Sequence, residues 1–170
     1  MLPSIPSILA ALSLLALPIS ITSTATPTPP SLTFLYSLNC TLGTAIQIGA
    51  GPHGNRVAIP ITGGTFSGPK LSGKVLNLGA DWGLIDNNGT FAADTRYQLQ
   101  TNDNANIFIR TSGPTQADGH IHLRILFETG SAKYYWLNHI VAVGVLTAGS
   151  GFVAIDAWYL EGAKAAVKGV

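Results

Sequence analysis

The pattern that most limits what this chain can become is a succession of short runs rich in β-branched and aromatic residues. Each run is closed by Gly, Asn, Asp or Pro, and no apolar spacing of the helical kind is held over three turns. The runs read as strands near Thr33–Leu38, Gly43–Ile48, Arg56–Phe66, Gly73–Leu78, Trp82–Ile85, Thr90–Thr101, Ala105–Thr111, His120–Thr129, Tyr134–Leu146 and Phe152–Leu160. Asn88-Gly89 and Thr101–Asn104 lie between runs and tolerate positive φ, so the connections are expected to be tight hairpins and the topology antiparallel and meandering. Left open, such a sheet would expose two long edges. An all-β fold closed into a single antiparallel barrel of about 8–10 strands is therefore expected, with a sandwich as the alternative.

Charge and apolar runs divide the 170 residues. No Asp, Glu, Lys or Arg precedes Arg56, and Ile8–Leu17 is an apolar stretch relieved only by Ser13 and ended by Pro18. A run of that length followed by small residues predicts a signal peptide over 1–25 rather than a spanning helix, which needs about 20 apolar residues. A proline-threonine linker over 26–31, a barrel domain over 32–162 and a tail over 163–170 complete the expected division, with a secreted, extracellular product and no stable membrane insertion. The net charge of +1 offers no basic footprint for phosphate backbones, so nucleic acid is not an expected partner. Cys40 is the only cysteine, which excludes an intramolecular disulfide. Asn39-Cys40-Thr41 and Asn88-Gly89-Thr90 both satisfy the glycosylation sequon, making Asn39 and Asn88 candidate glycan sites.

The stretch Ile61-Thr62-Gly63-Gly64-Thr65-Phe66-Ser67-Gly68-Pro69-Lys70-Leu71-Ser72-Gly73-Lys74-Val75-Leu76, continuing to Gly79-Ala80-Asp81-Trp82, closely resembles the domain-of-unknown-function family numbered 3237. Asp94-Thr95-Arg96-Tyr97, Phe127-Glu128-Thr129-Gly130-Ser131, Tyr135-Trp136-Leu137-Asn138 and Asp156-Ala157-Trp158 follow in that family's order, and the likeness runs from about Leu32 to Leu160. The resemblance implies a calycin-like barrel and no agreed activity. The chain departs from the family at Asn104, where Gly is more usual, and in its leader. Asn reaches the left-handed region too, so the first departure is benign.

Residues two apart on a strand share a face, which groups Asp94, Arg96, Gln98 and Gln100 against Thr95, Tyr97 and Leu99. One row faces solvent, and an Asp/Arg pair there is either a ligand anchor or a surface bridge. By the same rule Tyr134, Trp136 and Asn138 align, as do Asp156 and Trp158, placing aromatic rings beside polar heads as small-molecule pockets do. The alternative is an internal polar network that plugs the barrel. Asp81 beside Trp82 would have a raised pKa if buried, and Glu128 is a second acid that could share a proton-transfer role with it. Asp81, Glu128, Arg96 and Tyr97 are thus the candidate catalytic residues, and Trp82, Asp94, Tyr135, Trp136, Asn138, Asp156 and Trp158 the candidate ligand contacts.

Other motifs carry less. His120 and His122 share a side, but no carboxylate completes a ligand set, so no metal is expected. Gly49-Ala50-Gly51-Pro52-His53-Gly54 matches a dinucleotide glycine pattern but is followed by a strand-like run instead of the required helix. No G-x-S-x-G occurs. The expected function is a cofactor-free barrel that binds a small aromatic or polyketide-like molecule and catalyses an isomerase, lyase or cyclase step. The rivals are a non-catalytic carrier and a structural protein with a plugged barrel. A small organic ligand is the expected partner, with a homo-oligomer as an open alternative to the monomer.

Overall fold

The computed structural model describes residues 28–161; the expected signal peptide and C-terminal tail lie outside the described residues. Residues 28–30 have no regular structure, and Ser31 opens the first strand. The strands are β1 (Ser31–Leu42), β2 (Ile46–Gly51), β3 (Gly54–Ser67), β4 (Ser72–Asp81), β5 (Leu84–Ile85), β6 (Phe91–Thr101), β7 (Asn106–Pro114), β8 (Ile121–Glu128), β9 (Ala142–Ala148) and β10 (Phe152–Glu161). Eight of them close cyclically in the order β1-β10-β9-β8-β7-β6-β4-β3, with β3 returning to β1, and every pairing is antiparallel. The short β5 continues the lane of β4 between β3 and β6, and β2 continues the lane of β1 along the other edge of β3.

Alternation decides what fills the interior. In β8 the burial pattern is strictly two-fold, with Ile121, Leu123, Ile125 and Phe127 inside and His122, Arg124, Leu126 and Glu128 outside. In β6 Thr95, Tyr97 and Leu99 are buried, so the row containing Asp94 and Arg96 is the outer one. Closure at this small radius needs sharp bends. Pairing of β3 with β4 shifts register between Pro60 and Gly64, and that of β4 with β6 between Val75 and Gly79. At both glycines φ is positive, and an added Cβ would lie 2.1 Å from a neighbouring carbonyl oxygen, that of Asn39 or of Arg96. The bulges thus depend on residues without a side chain.

One expected strand is corrected. Tyr134–Leu146 is not continuous: Tyr135–His139 forms a 3₁₀ turn and the strand begins only at Ala142. Its backbone closes locally, with Leu137 N–H donating to Tyr134 O, and the Asn138 side chain bonds both the N–H and the C=O of Thr129. A short aromatic and apolar run fits a buried helical turn as well as a strand, so periodicity did not separate the two. The turn closes one end of the barrel. Leu137 and Tyr134 are buried there, and Trp136 packs on Tyr159 with ring centroids 6.0 Å apart. Behind it Tyr36 contacts Phe66 and Phe127 edge to face, completing a solid half of the core. Asn104 is the only described non-glycine residue with positive φ, at 64°, as its turn position requires.

Candidate functional site

The other half of the barrel is hollow. A cavity of about 270 Å³ is walled by Leu38, Ile61, Ile121, Leu146 and Ile155 among other apolar side chains, with Phe91 and Phe152 also in its wall. Against these stands one polar stripe. Asp81 on β4 is the register partner of Thr95 on β6, and Thr95 of Thr111 on β7, so all three meet the lumen in one cross-strand row. Tyr97 follows two residues along β6, Thr115 lies beyond the end of β7, and Cys40 enters from β1.

The electrostatics follow from enclosure. Burial raises the Asp81 carboxyl above its ordinary 3.8; the Asp94 N–H, donating to Oδ1 at 2.9 Å, and the Thr95 hydroxyl pull it back, and the Asp94 charge pushes it up again. The balance is upward, as desolvation of a charged form demands. Burial also holds Tyr97 well above the usual phenol value and pushes the Cys40 thiol up to about 11. The Tyr97 hydroxyl lies against that of the fully buried Tyr36, and among the described residues neither oxygen has any other hydrogen-bond partner.

Two sequence-predicted catalytic residues, Asp81 and Tyr97, come together in this cavity. The others do not join them. Glu128 faces solvent at the end of β8, so the expected pairing of two acids is not made. Arg96 and Asp94 lie on the outer wall, where Asp94 Oδ1 sits 3.4 Å from Arg96 and 3.6 Å from Arg110, and the Arg96 guanidinium covers the Trp82 ring at 5.6 Å. This is the surface bridge of the two readings. Asp156 accepts a hydrogen bond from Ser37 outside, and Trp158 packs on Phe34 there. Trp136 belongs to the closed end, under the Lys70 ammonium; Tyr135 is exposed beside His139, and Asn138 is the clamp on Thr129. Asn39 and Asn88 are both exposed, Asn88 in the turn organised by the Asp86 carboxylate. Among the described residues no three His, Cys, Asp or Glu side chains gather to hold a metal ion; His120 pairs with Asp118 at 3.2 Å.

Sequence reasoning passed over Thr95, Thr111 and Thr115. A signal was available for Thr95: it shares its row with Tyr97 and Leu99, the apolar face of β6, and threonine on such a face reads as inward.

A family model described as protein of unknown function (DUF3237) matches residues 30–124. The chain is similar to the hydroalkoxylation enzyme phnH of Penicillium herquei, 33% identical over 135 residues that span 79% of this chain and 87% of that protein. It is also 28% identical over 140 residues to a UPF0311 protein of Rhodopseudomonas palustris, covering 72% of this chain and 92% of the other. Among solved structures, a β-barrel-like protein of Acinetobacter baumannii superposes with a TM-score of 0.76 at 36% identity, over 81% of this chain and all of that one. An enzyme from Penicillium herquei gives 0.66 at 34% identity, over 82% of this chain and all of the other.

Proposed function

This chain belongs to the DUF3237 family, and from that footing we propose that it is a secreted small-molecule enzyme whose barrel cavity adds a hydroxyl across a carbon–carbon double bond without a cofactor. The observation that carries this reading is Asp81, a carboxyl of raised pKa and the one charged side chain among the described residues that wall the cavity. A carrier would keep its charges at the rim, whereas acid–base chemistry wants such a group inside. The hydroalkoxylation activity of the Penicillium herquei relative supports the reaction class. Secretion draws its support from the apolar Ile8–Leu17 segment and from sequon asparagines on the surface.

The chemistry asks little of the protein. One C–O bond forms at one alkene carbon, the O–H bond breaks, and a proton is placed on the other alkene carbon. Asp81 moves that proton: it receives one from the hydroxyl oxygen and delivers one to carbon, ending in the form in which it began. A raised pKa brings donor and acceptor forms closer in energy, the condition for efficient general acid–base work. Thr95 and the Asp94 N–H hold the carboxyl in place, and the apolar walls confine the substrate so that its hydroxyl and alkene stay within reach.

The test uses 2-alkenylphenols with the full chain, following the cyclised ether by chiral chromatography. The wild type is expected to form one enantiomer in excess, and Asp81→Asn to slow it by about 10²-fold or more. Racemic product at the uncatalysed rate, or unchanged turnover in the variant, would refute the assignment.

A further inference from the structure

One stretch of the outer wall is apolar where a wet surface is expected. Of the twelve large hydrophobic side chains exposed among the described residues, six stand together on the outside of β1, β8, β9 and β10: Leu32, Phe34, Leu126, Val141, Val143 and Leu160. Strand register sets them in rows. Arg124, Val143, Trp158 and Phe34 form one row across β8, β9, β10 and β1, and His122, Val145, Asp156 and Ser37 form the row beside it. On the other side Leu126 follows Ile125, Leu160 pairs with Leu32, and the Leu160 N–H donates to the Val141 carbonyl, which completes a row of aliphatics alone. Four strands about 4.8 Å apart, with like-facing residues about 6.8 Å apart along each, make a patch of roughly 400 Å² in plan. A groove of about 540 Å³ runs over it, lined by His122, Arg124, Val143, Val145 and Trp158 among others. Contiguous apolar surface of this extent with a polar rim marks an interaction site.

The chemistry across these rows is graded. Basic groups lie on β8, valines on β9, and an acid and an indole on β10. A surface with opposite chemistry on either side of an apolar midline matches itself when turned over about that midline, which is the requirement of a two-fold interface. The direction of the axis follows from the charges. An axis running across the strands would set Arg124 against Arg124 and press His122 and Asp156 onto the leucine row, which costs like-charge repulsion and unpaired polar burial. An axis along β9 keeps each row over itself and lays β8 of one copy over β10 of the other. Arg124 then meets the Trp158 indole, His122 meets the Asp156 carboxylate, Leu126 meets Leu160, and the β9 valines meet each other.

We propose that this face pairs with a second copy of the chain about a two-fold axis running along β9. The two sheets pack about 10 Å apart, each indole reaching into the groove of the other copy, and every charged group on the face finds an opposite or aromatic partner. The plan area is about half of what each partner of a standard interface buries, so the dimer forms in the micromolar range. The pairing does not depend on what the cavity does.

Sedimentation equilibrium of the full chain is expected to show a dimer. Val143→Lys sets two ammonium groups together on the axis and makes the chain monomeric; Leu78→Lys, at a more exposed leucine on β4, does not. Both positions are exposed, so neither change threatens the fold. The axis has its own test. His122→Asp places carboxylate against carboxylate at two points and weakens the dimer about tenfold or more, and adding Asp156→Lys restores it. A wild type still monomeric at about 100 μM would overturn the pairing. So would a dimer indifferent to Val143→Lys, or one that His122→Asp leaves intact or Asp156→Lys fails to rescue. A monomer that binds phosphatidylcholine vesicles and is released from them by Val143→Lys would also overturn it and assign the face to a lipid surface.

Discussion

Asp81 links chemistry to stability through its surroundings. A carboxyl whose pKa is raised on folding binds its proton more tightly in the folded chain, so its contribution to stability is fully present below the unfolded value, near 3.8. It is lost as pH rises through the folded value. Asparagine at this position keeps the Oδ1 acceptor for the Asp94 N–H and cannot ionise. Asp81→Asn is therefore expected to melt higher than the parent at pH 7, with the gain fading as pH falls through the folded value and gone below about 4, as read from melting curves across pH. A variant that is more stable and less active is the usual sign of a group held at a cost for function. Tyr36 supplies the complementary case. Its hydroxyl is buried against that of Tyr97 and meets no other described partner, so Tyr36→Phe should change stability by no more than about 1 kcal/mol in urea titrations. A loss of more than that would mean the hydroxyl is satisfied by something the protein's own atoms do not provide.

The strands are where sequence and structure agree most closely, and their bends are where they part. Alternation in β6 and β8 is plain in the sequence because each strand has one wet face and one dry face, and the row of Asp94, Arg96, Gln98 and Gln100 is polar throughout. Which row turns inward was equally readable, since Thr95, Tyr97 and Leu99 are the less polar set. Preference for charged groups as site residues obscured it. The segment after Glu128 failed differently: Tyr135–His139 is too short for period alone to distinguish a 3₁₀ turn from a strand, and Asn138 reveals its role only through a contact with Thr129, nine residues earlier. The bulge at Gly79 sets the approach of β4 to Tyr97. Gly79→Ala combines a disfavoured φ with a Cβ thrust at the Arg96 carbonyl, so a loss of about 2–4 kcal/mol is expected by chemical denaturation.

At the scale of the whole molecule the barrel resolves a choice that composition left open. Plug and pocket were rival readings of one interior; the protein has both, a solid half behind the 3₁₀ turn and a hollow half beyond Tyr97. Closure was legible because ten short antiparallel runs leave few other ways to hide their edges. The division of the lumen was not, since it depends on which inward residues happen to be large at each level. Trp136 and Trp158 show the difficulty: both are indoles next to polar groups, yet one seals an end and the other lies outside.

Cys40 has a consequence of its own. As the only sulfhydryl in the chain, and one that borders the hollow, it makes the chamber a self-reporting vessel. With its pKa near 11, only about one molecule in 10⁴ is thiolate at pH 7, so alkylation by iodoacetamide should be slow there and quicken about tenfold per pH unit up to roughly pH 10. Any guest lodged in the barrel would shield the sulfur, and the labelling rate followed by mass spectrometry would count vacant barrels directly. A rate typical of an exposed cysteine, or one blind to every guest, would place the sulfur elsewhere.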